Sequence, residues 1–84
     1  MNTSIEKMKE CYVLCSLDLE GKTVYLRSLH EKGQWEITTD IELATKAPDR
    51  DTAEFVRDFY MQEVGNGEWL ITPVIIQYIL VNES

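Results

Sequence analysis

Histidine is almost missing from this chain, and most routes to catalysis go with it. The only one is His30. A nucleophilic site needs a nucleophile and a base within hydrogen-bond reach. His30 with Cys11 or Cys15 is the one Cys–His pair that the composition offers. The simpler reading is a surface histidine beside a turn and two small buried thiols. Two cysteines and one histidine also give three metal ligands at most, without the spacing of a zinc site. Gly65-Asn66-Gly67 lacks the remainder of a phosphate-binding or dinucleotide-binding loop. The residues therefore point to no catalytic group, no metal and no cofactor, and so to a protein that is not an enzyme.

Other scarcities narrow the class further. Cys11 and Cys15 are four apart, so on a strand their Cα atoms lie roughly 13 Å apart, too far for a disulfide. Two free thiols fit a reducing compartment. The first ten residues, MNTSIEKMKE, lack the apolar centre of a secretory signal, and a cytoplasmic location is expected. The longest uncharged stretch, 69–82, is 14 residues and contains Pro73 and Gln77. It is too short for a membrane-spanning helix. The eight basic residues are scattered, whereas nucleic acid and anionic membranes are met by clustered Lys and Arg. Neither is expected as a direct partner.

What the chain does have is acid, and it is gathered in the middle. Residues 1–35 carry five acids and five bases and sum to zero. Residues 36–68 carry nine acids against Lys46, Arg50 and Arg57, which gives −6; Glu83 brings the total to −7. Eighty-four residues make a single domain spanning 1–84. A hydrophobic content of 44% with eight aromatics supports a folded core.

Residues 1–9 read as a short helix or a flexible arm, with Ile5 and Met8 at i, i+3. Tyr12–Leu19, Thr23–Leu29 and Gln34–Thr38 are rich in strand formers and alternate. They are separated by turns at Glu20-Gly21-Lys22 and Lys32-Gly33. The period then changes. Thr39-Asp40-Ile41-Glu42 has capping-box spacing before a short helical turn. Asp51-Thr52-Ala53-Glu54 repeats it, with Asp51 as the cap of a helix over about Thr52–Val64. Ala53, Val56, Phe59, Tyr60 and Val64 fall on one stripe of that helix. Gly65 suits the left-handed position that ends it. Trp69–Ile71 and Val74–Val81 read as strands. The expected fold is α+β: an antiparallel sheet of four to five strands with one principal helix on one face, in the order β-β-β-α-β-β. The expected core is Val13, Cys15, Leu17, Val24, Leu26, Trp35, Ile37, Val56, Phe59, Tyr60, Ile76 and Tyr78.

Two surfaces stand out. The first is acidic: Glu36, Asp40, Glu42, Asp51, Glu54 and Asp58, with Asp51, Glu54 and Asp58 at i, i+3, i+7 on the face opposite the apolar stripe. Acids in a first helical turn also complement the helix dipole, and a charged outer face is ordinary solvation. The segregation is what suggests a basic partner. The second surface is apolar. Val74–Val81 is hydrophobic on both faces, which suits a covered strand, yet one helix covers one face. The face bearing Ile75, Ile79 and Val81 is left for the N-terminal segment or for another chain, as in a homodimer or an accessory subunit.

The order Tyr12-Val13-Leu14, Val24-Tyr25-Leu26, Trp35, Asp40-Ile41-Glu42-Leu43-Ala44 and Asp51-Thr52-Ala53 resembles a pattern in small proteins of bacteriophages and mobile elements. The likeness covers roughly residues 12–60. It departs where Ala47-Pro48 replaces the usual Phe between the Ala turn and the helix. Some proteins of this kind inhibit host defences, anti-CRISPR proteins among them, by occupying a basic nucleic-acid groove. The resemblance thus implies a non-enzymatic inhibitor whose partner is a basic host protein such as a CRISPR effector complex, acting in the cytoplasm of a bacterial cell. It carries over no active-site residue.

Overall fold

The computed structural model describes residues 2–29, 34–65 and 67–82. The turn expected at Lys32-Gly33, His30 and Asn66 lie outside the described residues. The chain is α+β: a four-stranded antiparallel sheet and one main helix. The elements are β1 (Asn2–Leu17), β2 (Thr23–Ser28), β3 (Trp35–Thr38), a 3-10 turn at Ile41–Leu43, α1 (Arg50–Glu63) and β4 (Leu70–Asn82). The spatial order is β3-β2-β1-β4.

Residues 2–9 correct the sequence reading. They are neither helix nor loose arm, because β1 runs from Asn2 and pairs with β4 from Asn2–Asn82 to Cys15–Leu70. Nine residues, 2–10, with two apolar positions cannot hold a helix alone. A long apolar partner strand gives them a backbone ladder instead. β4 is likewise one strand, not two, because Pro73 does not break it. Tyr12 exchanges both backbone hydrogen bonds with Ala47 (2.9 and 2.8 Å), so its N–H and C=O point away from β4. Its β4 neighbour is Pro73. That pair carries no ladder bond, and the missing N–H of Pro73 falls on the outer edge, where proline is tolerated. One irregularity interrupts the ladder: Ile5 pairs with Ile79 and Lys7 with Tyr78, so Glu6 is an extra residue, a bulge.

β1 meets β2 only at Cys15–Leu17. Past that point the two strands part, and the segment after the 3-10 turn fills the gap. Thr45 N–H bonds the Leu26 carbonyl (3.1 Å), Thr45 Oγ1 accepts from Ser28 N–H (2.6 Å), and Ala47 bridges Tyr12. Ala44 and Ala47 are buried there.

The helix starts two residues earlier than expected, at Arg50 rather than Thr52. Asp49, not Asp51, is the cap: its carboxylate accepts from Thr52 N–H at 2.7 Å. The 3-10 turn is likewise capped by Asp40, which accepts from Glu42 N–H, in place of Thr39. Gly65 takes the left-handed conformation (φ 68°) after the helix.

The core gathers Leu14, Val24, Leu26, Tyr60 and Trp69, with Trp35, Val56 and Ile71 against them. Tyr60 sits edge-on between Trp35 (5.2 Å) and Trp69 (5.6 Å). Four expected core residues are exposed: Leu17, Ile37, Phe59 and Tyr78. Leu17 is the last residue of β1 and lines an open depression with Thr23 and Leu70. Ile37 lies on edge strand β3, which α1 reaches through Trp35 and Phe59. Tyr78 lies out on β4, on the face opposite the one that carries Leu14 and Ile71.

Two tests follow from the core and the cap. Leu26→Ala should cost about 2–5 kcal/mol in denaturant unfolding, whereas Ile37→Ala should cost less than about 1 kcal/mol. The Thr52 N–H bond holds the Asp49 carboxyl below its ordinary range. A depressed folded-state pKa contributes stability at neutral pH that is lost as pH falls through that pKa. The melting-temperature gap between wild type and Asp49→Ala should therefore be widest near neutrality and close below about pH 4; a gap constant down to pH 2 would remove this role.

Candidate protein-docking surfaces

The molecule measures 52 × 29 × 22 Å with a radius of gyration of 15.4 Å, against about 12 Å for a compact chain of this length. The excess is a two-stranded ribbon. Beyond Tyr12 on β1 and Pro73 on β4, the strand backbones pair only with each other among the described residues. Ile75 (63% exposed), Ile79 (53%) and Val81 (47%) lie on it, as do Ile5, Met8, Tyr78 and Leu80, all half-exposed or more. Ile5, Met8, Tyr78 and Leu80 were not foreseen as exposed. The signal was the length of the uncharged stretch, which exceeds what a four-residue β3 and a six-residue β2 can flank.

The Glu6 bulge sorts the ribbon's side chains. Partners across an antiparallel ladder share a face. Ile5 with Ile79 and Met8 with Gln77 therefore join Ile75 and Val81 on one face. Lys7 with Tyr78 and Lys9 with Ile76 occupy the other. The first face continues that of Leu14 and Ile71, which the helix covers nearer the body. Glu10, on this ribbon, accepts from the Tyr12 hydroxyl (3.2 Å), and its charge raises the phenol's pKa.

The acids are placed differently from a bare row of carboxylates. α1 sets Asp51, Glu54 and Asp58 on one face. Glu54 faces Arg50 (3.9 Å) and Asp58 faces Arg57 (3.3 Å). Glu36, on β3, faces Arg27 (3.5 Å). Asp40 is committed to its cap. The backbone carbonyl of Glu42 accepts from Lys46 Nζ (2.8 Å), which also reaches the carbonyls of Ile41 and Ala44. Glu63 accepts from Trp35 Nε1 (2.8 Å), tying β3 to the helix. Most of the acids thus have local work.

A depression of about 560 Å³ at the body end of the sheet is lined by Cys15, Ser16, Leu17, Thr23, Gly67, Glu68 and Leu70. Cys15 is its one thiol, and Cys11 is buried; both are free. Among the described residues no three His, Cys, Asp or Glu side chains stand together as a metal site, and no helix is long and apolar enough to cross a membrane.

The fold and these surfaces define a small α+β body carrying an apolar β-ribbon. No family model, curated protein or solved structure matches the chain, so the likeness to bacteriophage proteins rests on its residue pattern.

Exposed ion pairs contribute little, typically about 0.2–1 kcal/mol each. Neutralising Glu36, Glu54 and Asp58 together (Glu→Gln, Asp→Asn) should leave unfolding free energy within about 1–2 kcal/mol of wild type. A larger loss in urea titrations would make these acids structural.

Proposed function

We propose that this protein is a non-enzymatic binding module whose docking element is the β1–β4 ribbon. One observation carries the reading: Ile5, Met8, Ile75, Ile79 and Val81, 47–63% exposed, share one face of a ribbon that the body leaves uncovered. Monomers rarely show contiguous apolar patches of this kind unless another molecule covers them. A strand edge beside such a patch offers backbone hydrogen bonds as well.

A second reading assigns contact to the acidic body, as the bacteriophage resemblance implies. Glu36, Asp40, Glu42, Asp51, Glu54 and Asp58 would meet a basic, nucleic-acid-handling host protein such as a CRISPR effector, in the manner of an anti-CRISPR inhibitor. What favours it is the division of charge. Glu6, Lys7, Lys9 and Glu10 cancel on the ribbon, so the −6 of residues 36–68 belongs to the body. What weighs against it is that Glu36, Glu54 and Asp58 already face arginines. The two surfaces can also serve one inhibitor, the ribbon giving affinity and the acids steering approach.

Capture from bacterial lysate with wild type, Ile75→Lys/Ile79→Lys and Asp51→Lys/Glu54→Lys/Asp58→Lys separates the readings. The ribbon reading expects capture to fall at least tenfold in the first variant and to persist in the second, with little dependence on salt. The reverse pattern, together with loss at high salt, would hand the function to the acids.

A further inference from the structure

We infer that the open edge of β4 pairs with β4 of a second copy of this chain, antiparallel, about a two-fold axis at Tyr78. The inference rests on the ribbon being the docking element and names its occupant and register.

Hydrogen bonding selects the edge. β4 is the last strand of the sheet. Pro73 turns its backbone outward, and alternation then turns Ile75, Gln77, Ile79 and Val81 outward too, while Val74, Ile76, Tyr78 and Leu80 bond β1. The two ribbon edges are not alike. The β1 edge carries Glu6, Lys7, Lys9, Glu10 and a bulge, the devices by which natural strands discourage pairing. From Ile75 to Val81 the β4 edge has no charge, no proline and no bulge.

Proline selects the register. A two-fold axis at Gln77 would set Val81 of one copy against Pro73 of the other, which has no N–H to give. With the axis at Tyr78, Ile75 pairs with Val81 of the second copy and Gln77 with Ile79 of the second copy. Every outward N–H and C=O from Ile75 to Val81 then has a partner. Isologous pairing needs such a self-complementary strand.

Charge selects the occupant. Two copies at −7 each repel, so they can meet only where neither is charged and the bodies stay apart. Residues 69–82 are the long uncharged stretch. In this register the two Pro73 residues stand about ten strand positions apart, roughly 33 Å. The screening length at physiological salt is about 8 Å. A basic partner, by contrast, would be drawn to the body and gain nothing electrostatic from β4.

The register has a direct reporter. Tyr78 faces Tyr78 of the second copy as a non-bonded pair, with Cα atoms about 4.5 Å apart, within disulfide range. Full-length Tyr78→Cys treated with copper–phenanthroline should give a covalent dimer. Gln77→Cys, one residue away on the same strand, should give at least tenfold less. Wild-type protein in sedimentation equilibrium should double in mass with concentration, with Ile75, Gln77, Ile79 and Val81 amides gaining exchange protection as it does. A monomer at every concentration up to about 1 mM overturns the inference. So does a dimer that Tyr78→Cys does not cross-link, or one that both cysteines cross-link equally. If the protein stays monomeric while Ile75→Lys/Ile79→Lys still abolishes capture from lysate, the ribbon reading stands and only the second copy is lost.

Discussion

The short bridge Thr45–Ala47 governs the architecture. It is stitched to β2 through Leu26 and Ser28 and to β1 through Tyr12. By occupying the space between the two strands, it ends their pairing after Cys15–Leu17 and lets each follow its own course. β2 stays with β3 to hold the body. β1 leaves with β4 to make the ribbon. The 3-10 turn delivers this bridge, and Lys46 secures the turn by donating to three of its carbonyls. The Asp49 cap then redirects the chain into α1 within a few residues. A small number of backbone and cap hydrogen bonds thus decides where the compact part of the molecule stops.

Much of the body is legible in the sequence because its signals are local. Alternation marks β2, the apolar stripe marks α1, and Gly65 marks its end. The caps are displaced by a residue or two, since Thr39-Asp40 and Asp49-Asp51 each offer more than one competent oxygen, and backbone geometry makes the choice. The ribbon is less legible. Residues 2–10 have no strong strand pattern; Ile5 and Met8 at i, i+3 mimic a helix, and the bulge at Glu6 that reconciles this spacing with a strand is visible only once β4 lies alongside. The sequence does show that Ile75, Ile79 and Val81 share a face for which one helix offers no cover. It does not show that Tyr78 and Leu80, on the opposite face, are also exposed, because that depends on how far along β4 the body reaches.

The acidic residues illustrate how a compositional signal divides once a fold is present. In one dimension, nine carboxylates between residues 36 and 68 make a block. In three, Asp40 and Asp49 terminate backbone segments, Glu63 anchors the Trp35 indole, and Glu36, Glu54 and Asp58 each stand near an arginine. The remaining field is still negative and still confined to the body. It keeps bodies at a distance from one another and from acidic surfaces, while the neutral ribbon extends beyond the strongest part of that field.

The bulge at Glu6 gives the ribbon a sidedness that depends on counting rather than on chemistry. Ile5 and Met8 are three apart, an odd spacing that would put them on opposite faces of a regular strand; one supernumerary residue restores them to the same side. Residue identity at that position matters less than its presence. Exchange of the Glu6 side chain leaves the oily and the lysine-bearing faces where they are, whereas removal of the residue would transpose everything before it. The ribbon therefore tolerates a change of side chain at Glu6 but not a change in length there.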